Sequence, residues 1–225
     1  MNYVGLAMVH LTGLTPYRQA WDLQRQTHDE VASGARDSLV FLLEHEPVFT
    51  AGRRTSATEY PTDGSEVILV DRGGRLTWHG PGQLVAYPIV VLKKPLDVIA
   101  YLRVLEAAAL EVCAGFGIVG QRVPGRSGVW VPAETASAAP GPPTPLAKIC
   151  AVGARVARGV TMHGLALNCD PDLSAFSRII PCGIDDADVT SLSAVTGRSV
   201  SVAEVRPLLA AALKRALAPM LEAAT

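Results

Sequence analysis

The chain has 225 residues, 49% of them hydrophobic and 18% charged, which excludes a disordered or collagen-like polymer and suits one large domain or two small ones with a real core. Lys and Arg together number 20 against 21 Asp and Glu, a net charge of −1 with histidine neutral, so there is no global basic field of the kind a general nucleic-acid binder uses. No apolar run reaches the ~18 residues of a membrane span, and MNYVGLAMVHLTGLTPYRQ lacks a basic end followed by a long apolar stretch; neither a span nor a secretory signal is expected.

In chain order, Thr15-Pro16 reads as a helix start, with Ala20, Leu23, Thr27 and Val31 at helical spacing behind it. Ser38 to Leu43, Val67 to Val70 and Leu84 to Leu92 are short apolar runs that suit buried strands. Leu96 to Phe116 is helical in pattern, with Ile99, Leu102, Leu105, Ala109, Val112 and Phe116 on one face and an end near Gly115 and Gly117. Gly128 to Val131 reads as a strand. The Pro- and Ala-rich stretch 132–147 is expected as a mobile surface loop, because it has almost nothing to bury. Residues 149–157 and 160–169 read as paired strands turning at Arg158-Gly159. Ser201 and Glu204 form a capping-box pattern before a helix facing inward with Val205, Leu208, Leu209, Ala212, Leu213 and Leu217; Pro207 predicts an irregular first turn. Strands and helices mix without regular alternation, so the expectation is one α+β domain over 1–225, with no linker and no repeat.

Three segments are unlike packing material. Asp71 to Gln83 carries four glycines, two arginines and a histidine between apolar strands, where a tight turn with a salt-bridged surface competes with a ligand-approach loop. Thr161-x-His163-Gly164 repeats the pattern Thr77-x-His79-Gly80, so two strand ends could face each other across one pocket; the plainer alternative is that each histidine bonds a nearby carbonyl. Cys182, between Pro181 and Gly183, fits a loop where a thiol is reachable, whereas Cys113, Cys150 and Cys169 lie in apolar segments and read as small buried side chains. No CxxC pair occurs, which fits a reducing cytoplasm, and His79, His163 and Cys182 lack metal-ligand spacing, so no metal is expected. On their own, the residues support a cysteine nucleophile in a glycine-lined pocket.

DRGGRLTWHGPGQLVAYPI, KICAVGARVARGVTMHGLALN and PCGI, in that order and with the spacing from Lys148 to Cys182, resemble the lipoyl(octanoyl) transferases, which move an octanoyl group from acyl carrier protein to protein. EHEPVFTAGRR at 44–54 and DVTSL at 188–192 look like the same family, so the resemblance covers most of 38–192; Arg75 and Trp78 stand at positions that vary in it, and the stretch before Lys148 is longer than usual. The resemblance implies a biotin/lipoate protein ligase-like fold, a mixed β-sheet flanked by helices. It implies Cys182 as the acyl-thioester nucleophile and Lys148 as its activating partner. Arg72, Gly73, Gly74, Arg75, Leu76, Thr77, Trp78 and His79 would bind substrate, together with Ala151, Val152, Gly153, Gly164, Leu165 and Ala166. The donor would be octanoyl acyl carrier protein, and the acceptors lysines of lipoyl domains in 2-oxoacid dehydrogenase complexes and of the glycine cleavage H protein. No cofactor, metal, nucleic acid or membrane is implied, and the location would be cytoplasmic.

The chemistry explains the residue types. A thiol with pKa near 8.5 is only about 3% ionised at pH 7, and an ammonium that lowers it by roughly 1.5 units makes about half of it thiolate. Backbone N–H groups of the glycine-rich segments could hold the oxyanion. Seven carbons beyond the carbonyl, at about 0.8 kcal/mol per buried CH₂, would contribute up to about 5 kcal/mol in an apolar slot, for which Leu76, Trp78, Val152 and Leu165 are expected walls. Arg53, Arg54, Arg72, Arg75, Arg122 and Arg126 are expected to meet an acidic carrier, with a solvated charged surface as the alternative. Other readings are an ATP-dependent lipoate–protein ligase of the same fold, a non-catalytic module binding lipoyl domains or carrier proteins, and a cysteine amidase using Cys182 and His163.

Overall fold

The computed structural model describes residues 6–133, 146–179 and 188–221. Its main sheet has eight strands. Seven of them run in the order β1 (Ala7–Thr15), β2 (Leu39–His45), β6 (Gln83–Ile89), β10 (Val160–Asn168), β9 (Leu146–Ala157), β8 (Arg126–Pro132), β7 (Gln121–Val123). β1 pairs with β2 in parallel, and the other neighbours along this path are antiparallel. β11 (Asp188–Val189) adds to β9 in parallel. A smaller sheet orders β4 (Val67–Leu69), β3 (Val48–Ala51) and β5 (Leu76–His79). The helices are α1 (Tyr17–Ala32), α2 (Val98–Gly115), α3 (Leu192–Thr196) and α4 (Val202–Leu217).

Helices cover both faces of the main sheet. α2 and α4 pack over Val40, Leu42, Leu84, Ala86, Ile149, Leu165 and Leu167, while α1 packs over Leu39, Phe41, Leu43, Val85, Ile89 and Ala166. Successive side chains of β2 and β6 therefore alternate between two dry layers, which is why their sequences are continuous apolar runs. The architecture is the mixed sheet flanked by helices that the sequence implied, and no helix of the described residues is long and apolar enough to cross a membrane.

Several local expectations shift. β1 had no recognised signal because its pattern is largely exposed. Pro16 caps α1 instead of occupying its first turn. α2 begins at Val98, capped by Asp97 Oδ1 on the Ala100 amide at 2.8 Å, so Ile99 sits on the solvent side at 70% exposure. In α4, Ser201 caps the Glu204 amide and the first turn is regular; Pro207 lies inside the helix and Leu208 faces outward. The Pro/Ala-rich stretch falls mostly on 134–145, outside the described residues.

β6 and β10 separate locally at Pro88, which has no N–H to pair. The Thr161 hydroxyl fills the gap, donating to the Pro88 carbonyl at 2.7 Å and accepting from the Val90 amide at 3.1 Å. Two residues on, His163 has φ 59, in the left-handed region that a non-glycine residue enters at a cost. Gly164 then lets the strands close again: a Cβ there would lie 2.2 Å from the Ala86 carbonyl oxygen. Gly164→Ala is expected to cost about 3 kcal/mol of unfolding free energy by overpacking against backbone, measurable as a lowered urea midpoint with unchanged slope.

Candidate active site

A cavity of about 510 Å³ opens where β6 and β10 part, lined also by Thr77 and His79 of β5, within the size range of small-ligand sites. Its floor is the β9–β10 register, in which Ala151, Val152 and Gly153 stand opposite Ala166, Leu165 and Gly164. All six line the cavity, and the two glycines and two alanines among them leave room for it. Arg72, Gly74, Arg75, Thr77 and His79 line the opposite side.

Gly73 is not in the lining; its amide donates to the Ala154 carbonyl at 3.1 Å and so lays the 72–75 loop on β9. Leu76 and Trp78 also turn away, because strand alternation puts them on the other face of β5 from Thr77 and His79. They pack instead with Phe49, Phe176 and Ile179, and Trp78 meets Phe176 edge-on at 5.5 Å between centroids. Of the four expected apolar walls only Val152 and Leu165 line the cavity, and both also belong to the core cluster under α2 and α4.

Arg72 is buried. Its guanidinium donates to the carbonyls of Thr50, Gly73 and Arg75 and to the Thr50 hydroxyl, at 2.9 to 3.1 Å. It braces the loop, which corrects its expected role in docking a partner. Arg75 pairs with buried Glu59 at 2.7 Å, and Arg122 with fully buried Glu106 at 3.2 Å. Arg53 and Arg54 are exposed, and Arg54 and Arg126 line the cavity.

The end of the cavity near α1 is a cluster of neutral rings. His45 Nδ1–H donates to the Thr15 carbonyl at 2.9 Å, so Nε2 accepts the Tyr87 O–H at 2.8 Å. His79 stacks on Tyr17 at 6.0 Å and lies 5.7 Å from His45. Burial drives the His45 pKa down to about 4 and the Tyr17 pKa up to about 12, and holds His79 well below the usual histidine range. Burial likewise lowers His163, against the pull of Asp71, whose carboxylate it meets at 2.8 Å; that hydrogen bond, with Arg155 on the other carboxylate oxygen, brings Asp71 down to about 2. Both repeated-pattern histidines therefore reach one cavity, but Thr161 does not, being engaged with Pro88 and Val90.

Lys148 lines the cavity from β9 and is nearly buried. Its Nζ lies 4.5 Å from the centroid of the Trp130 ring, directly across the β8–β9 pairing. Gly128 stands beside it at φ 118; a Cβ there would lie 2.4 Å from the Cys150 carbonyl oxygen and 3.5 Å from Lys148 Cε. Cys182 lies outside the described residues. The chain before it is anchored at Ile179 against Trp78, and the chain after it returns at β11, where Val189 pairs with Lys148 and the Thr190 amide donates to the Lys148 carbonyl at 3.0 Å. Cys113, Cys150 and Cys169 are buried, and burial raises all three thiols, Cys113 and Cys169 to about 12.

Sequence reasoning missed Tyr17, His45, Asp71, Tyr87 and Trp130 as parts of this site. Tyr87 and Trp130 sat inside runs read as core strand, and their polar atoms gave no local signal.

The lipoyl protein ligase A/B catalytic domain family matches residues 16–214. An octanoyltransferase of Acidothermus cellulolyticus is 54% identical over 207 residues, 92% of this chain and 90% of that protein. One of Mycobacterium tuberculosis is 53% identical over 209 residues, 93% of this chain and 86% of that protein. Among solved structures, a bipartite lipoate protein ligase system of Thermoplasma acidophilum with its E2 lipoyl domain superposes with a TM-score of 0.70 at 16% identity, over 96% of this chain and 84% of that one. A lipoate-protein ligase A bound with ATP gives 0.66 at 17% identity, over 95% and 86%. The structural likenesses establish the lipoate ligase fold. The chain belongs to the lipoyl protein ligase A/B catalytic family and, within it, to the octanoyltransferases, a group of acyltransferases.

A histidine held neutral when folded but free to protonate when unfolded lowers stability as pH falls from its unfolded towards its folded value. For His45 that window runs from 6.5 to about 4. Its share of the loss is about 3 kcal/mol. The Asp71 contribution, by contrast, persists above 3.8 and is lost only towards about 2. Urea unfolding at pH 7 and pH 4.5 should show a steep acid loss in the native chain and a flatter one in His45→Gln; equal slopes would refute the assignment.

Proposed function

We propose that the chain transfers an octanoyl group from octanoyl acyl carrier protein to a lysine of lipoyl domains, through a thioester on Cys182 with Lys148 as its partner. The observation that carries this reading is the docking of β11 on Lys148, which ties the chain after Cys182 to the one lysine that lines the cavity among the described residues. The three described thiols are buried and pushed up by burial, which disfavours each of them as a nucleophile and so supports Cys182 in that role.

In the first half-reaction the Cys182 thiolate attacks the donor thioester carbonyl and the carrier's thiolate leaves, taking a proton from the Lys148 ammonium. In the second, the acceptor lysine's ammonium gives a proton to Lys148, its amine attacks the acyl-enzyme carbonyl, and as the Cys182 thiolate leaves the second N–H proton of the new C–N bond is released to solvent, leaving the amide, the thiolate and the Lys148 ammonium. Thioester is exchanged for thioester and then for amide, so no nucleotide is consumed. Val152, Leu165 and the neutral rings provide the apolar surroundings for the acyl chain. Arg54 and Arg126 line the cavity, and their charge supports the reading of an acidic carrier as donor. The lipoyl-domain acceptor follows the relatives' activity and the archaeal ligase's E2 lipoyl domain.

Intact-mass analysis after mixing with octanoyl acyl carrier protein should show one added octanoyl group on Cys182, absent in Cys182→Ser. Mapping of the adduct to Cys150 or Cys169, or product formation from free octanoate only with ATP, would overturn the reading. Lys148→Ala should raise the apparent pKa of the reactive thiol by about 1.5 units in an iodoacetamide rate profile. A six-carbon donor should bind about 15-fold more weakly than the eight-carbon one, from two lost CH₂ groups.

A further inference from the structure

A chain of hydrogen bonds behind the cavity fixes the protonation pattern of His79. The Thr190 carbonyl can only accept, so the group 2.9 Å from it is the Asn168 amide nitrogen, and Asn168 Oδ1 faces inward. Gln83 Nε2 donates to that oxygen at 2.8 Å, and also lies 3.4 Å from the Trp78 carbonyl, another pure acceptor. Gln83 therefore turns Oε1 towards His79 Nδ1, at 2.6 Å. A carboxamide oxygen only accepts, so Nδ1 carries the proton and Nε2 keeps a bare lone pair. Gln83 and Asn168 are both buried, and among the described residues Nε2 makes no hydrogen bond.

We propose that Gln83 and Asn168 are positioning residues that lock His79 as the Nδ1–H tautomer, so that Nε2 accepts an N–H from the lysine amine as it attacks the acyl-enzyme. This rests on the acyl-transfer reading above and assigns its second half-reaction a specific acceptor. The relay starts at Thr190, whose amide is bonded to Lys148, so the strand that docks on Lys148 also sets the histidine. A neutral ring suits a hydrogen-bond acceptor that orients the amine, with Lys148 taking the proton. The titratable groups facing the ring are Tyr17 of α1, His45 of β2, Arg72 before β5 and His163 of β10, with Tyr87 of β6 and Lys148 of β9 in the same cavity.

The test has two readouts. Nitrogen NMR of the ¹⁵N-histidine-labelled native protein should show His79 with a protonated Nδ1 and an unprotonated Nε2; the opposite tautomer overturns the proposal without reference to activity. In single-turnover assays, Gln83→Leu should leave acylation by octanoyl carrier protein unchanged and slow transfer from the preformed acyl-enzyme to a lipoyl domain by about 100-fold. Gln83→Glu, whose carboxylate still accepts from Nδ1–H, should recover most of that rate and move the pH midpoint of the transfer step upward by making the ring more basic. An equal loss in both half-reactions, or a Gln83→Glu as slow as Gln83→Leu with no pH shift, means a structural role only and overturns it. If the native protein forms no acyl-enzyme, the acyl-transfer reading fails, and the NMR result still decides the tautomer.

Discussion

Lys148 is confined from three directions, and the site takes its shape from that confinement. Trp130, its cross-strand neighbour on β8, sets a π-face 4.5 Å from the ammonium. Gly128 omits the side chain that would otherwise press on the lysine stem and the Cys150 carbonyl. β11 closes the far side through Val189 and Thr190. A lysine stem has four rotatable bonds and ordinarily loses substantial entropy when fixed. Here strand pairing orders the backbone on both sides, and the aromatic face offsets part of the cost of burying the cation. Glu106, fully buried, extends the confinement outward by accepting the Gly128 amide at 2.9 Å while pairing with Arg103 and Arg122.

The ring cluster at the α1 end of the cavity is neutral. His45, His79 and His163 are each pushed by burial towards the neutral form, and Tyr17 and Tyr87 are kept protonated. The rings themselves carry no fixed charge, whereas the charged groups beside them are held by partners, Arg72 by backbone carbonyls and Asp71 by His163 and Arg155. The backbone cost is concentrated at His163, whose left-handed φ is held by the Thr161 stitch before it and the Gly164–Ala86 contact after it, and whose amide donates to Gln24 Oε1 at 2.8 Å.

Much of this was legible locally. The runs at 38–43 and 84–92 read as buried strands because both of their faces are dry, and the 149–169 hairpin was read with its turn because Arg158-Gly159 interrupts two apolar runs. The glycine-rich segment after Asp71 and the repeated histidine pattern pointed to a pocket. The face of β5 was not legible: Leu76 and Trp78 are as apolar as any cavity wall, and only the presence of Phe176 and Ile179 on their side of the sheet shows that they anchor the chain leading towards Cys182. Tyr87 looked like core because its hydroxyl partner, His45, lies on another strand.

The sequence alone determined the longer helices and the buried strands of the main sheet, which depend on periodicity, and the family, which depends on the order of motifs along the chain; β1, β3 and β5 carried no such signal. Tertiary structure alone decided which side of each strand faces the cavity, that Arg72 braces a loop, and which nitrogen of each histidine bears the proton. The reason is that side-chain direction depends on which face a distant element covers, and a ring's protonation pattern on partners far away in sequence; Gln83 and Asn168 meet across 85 residues.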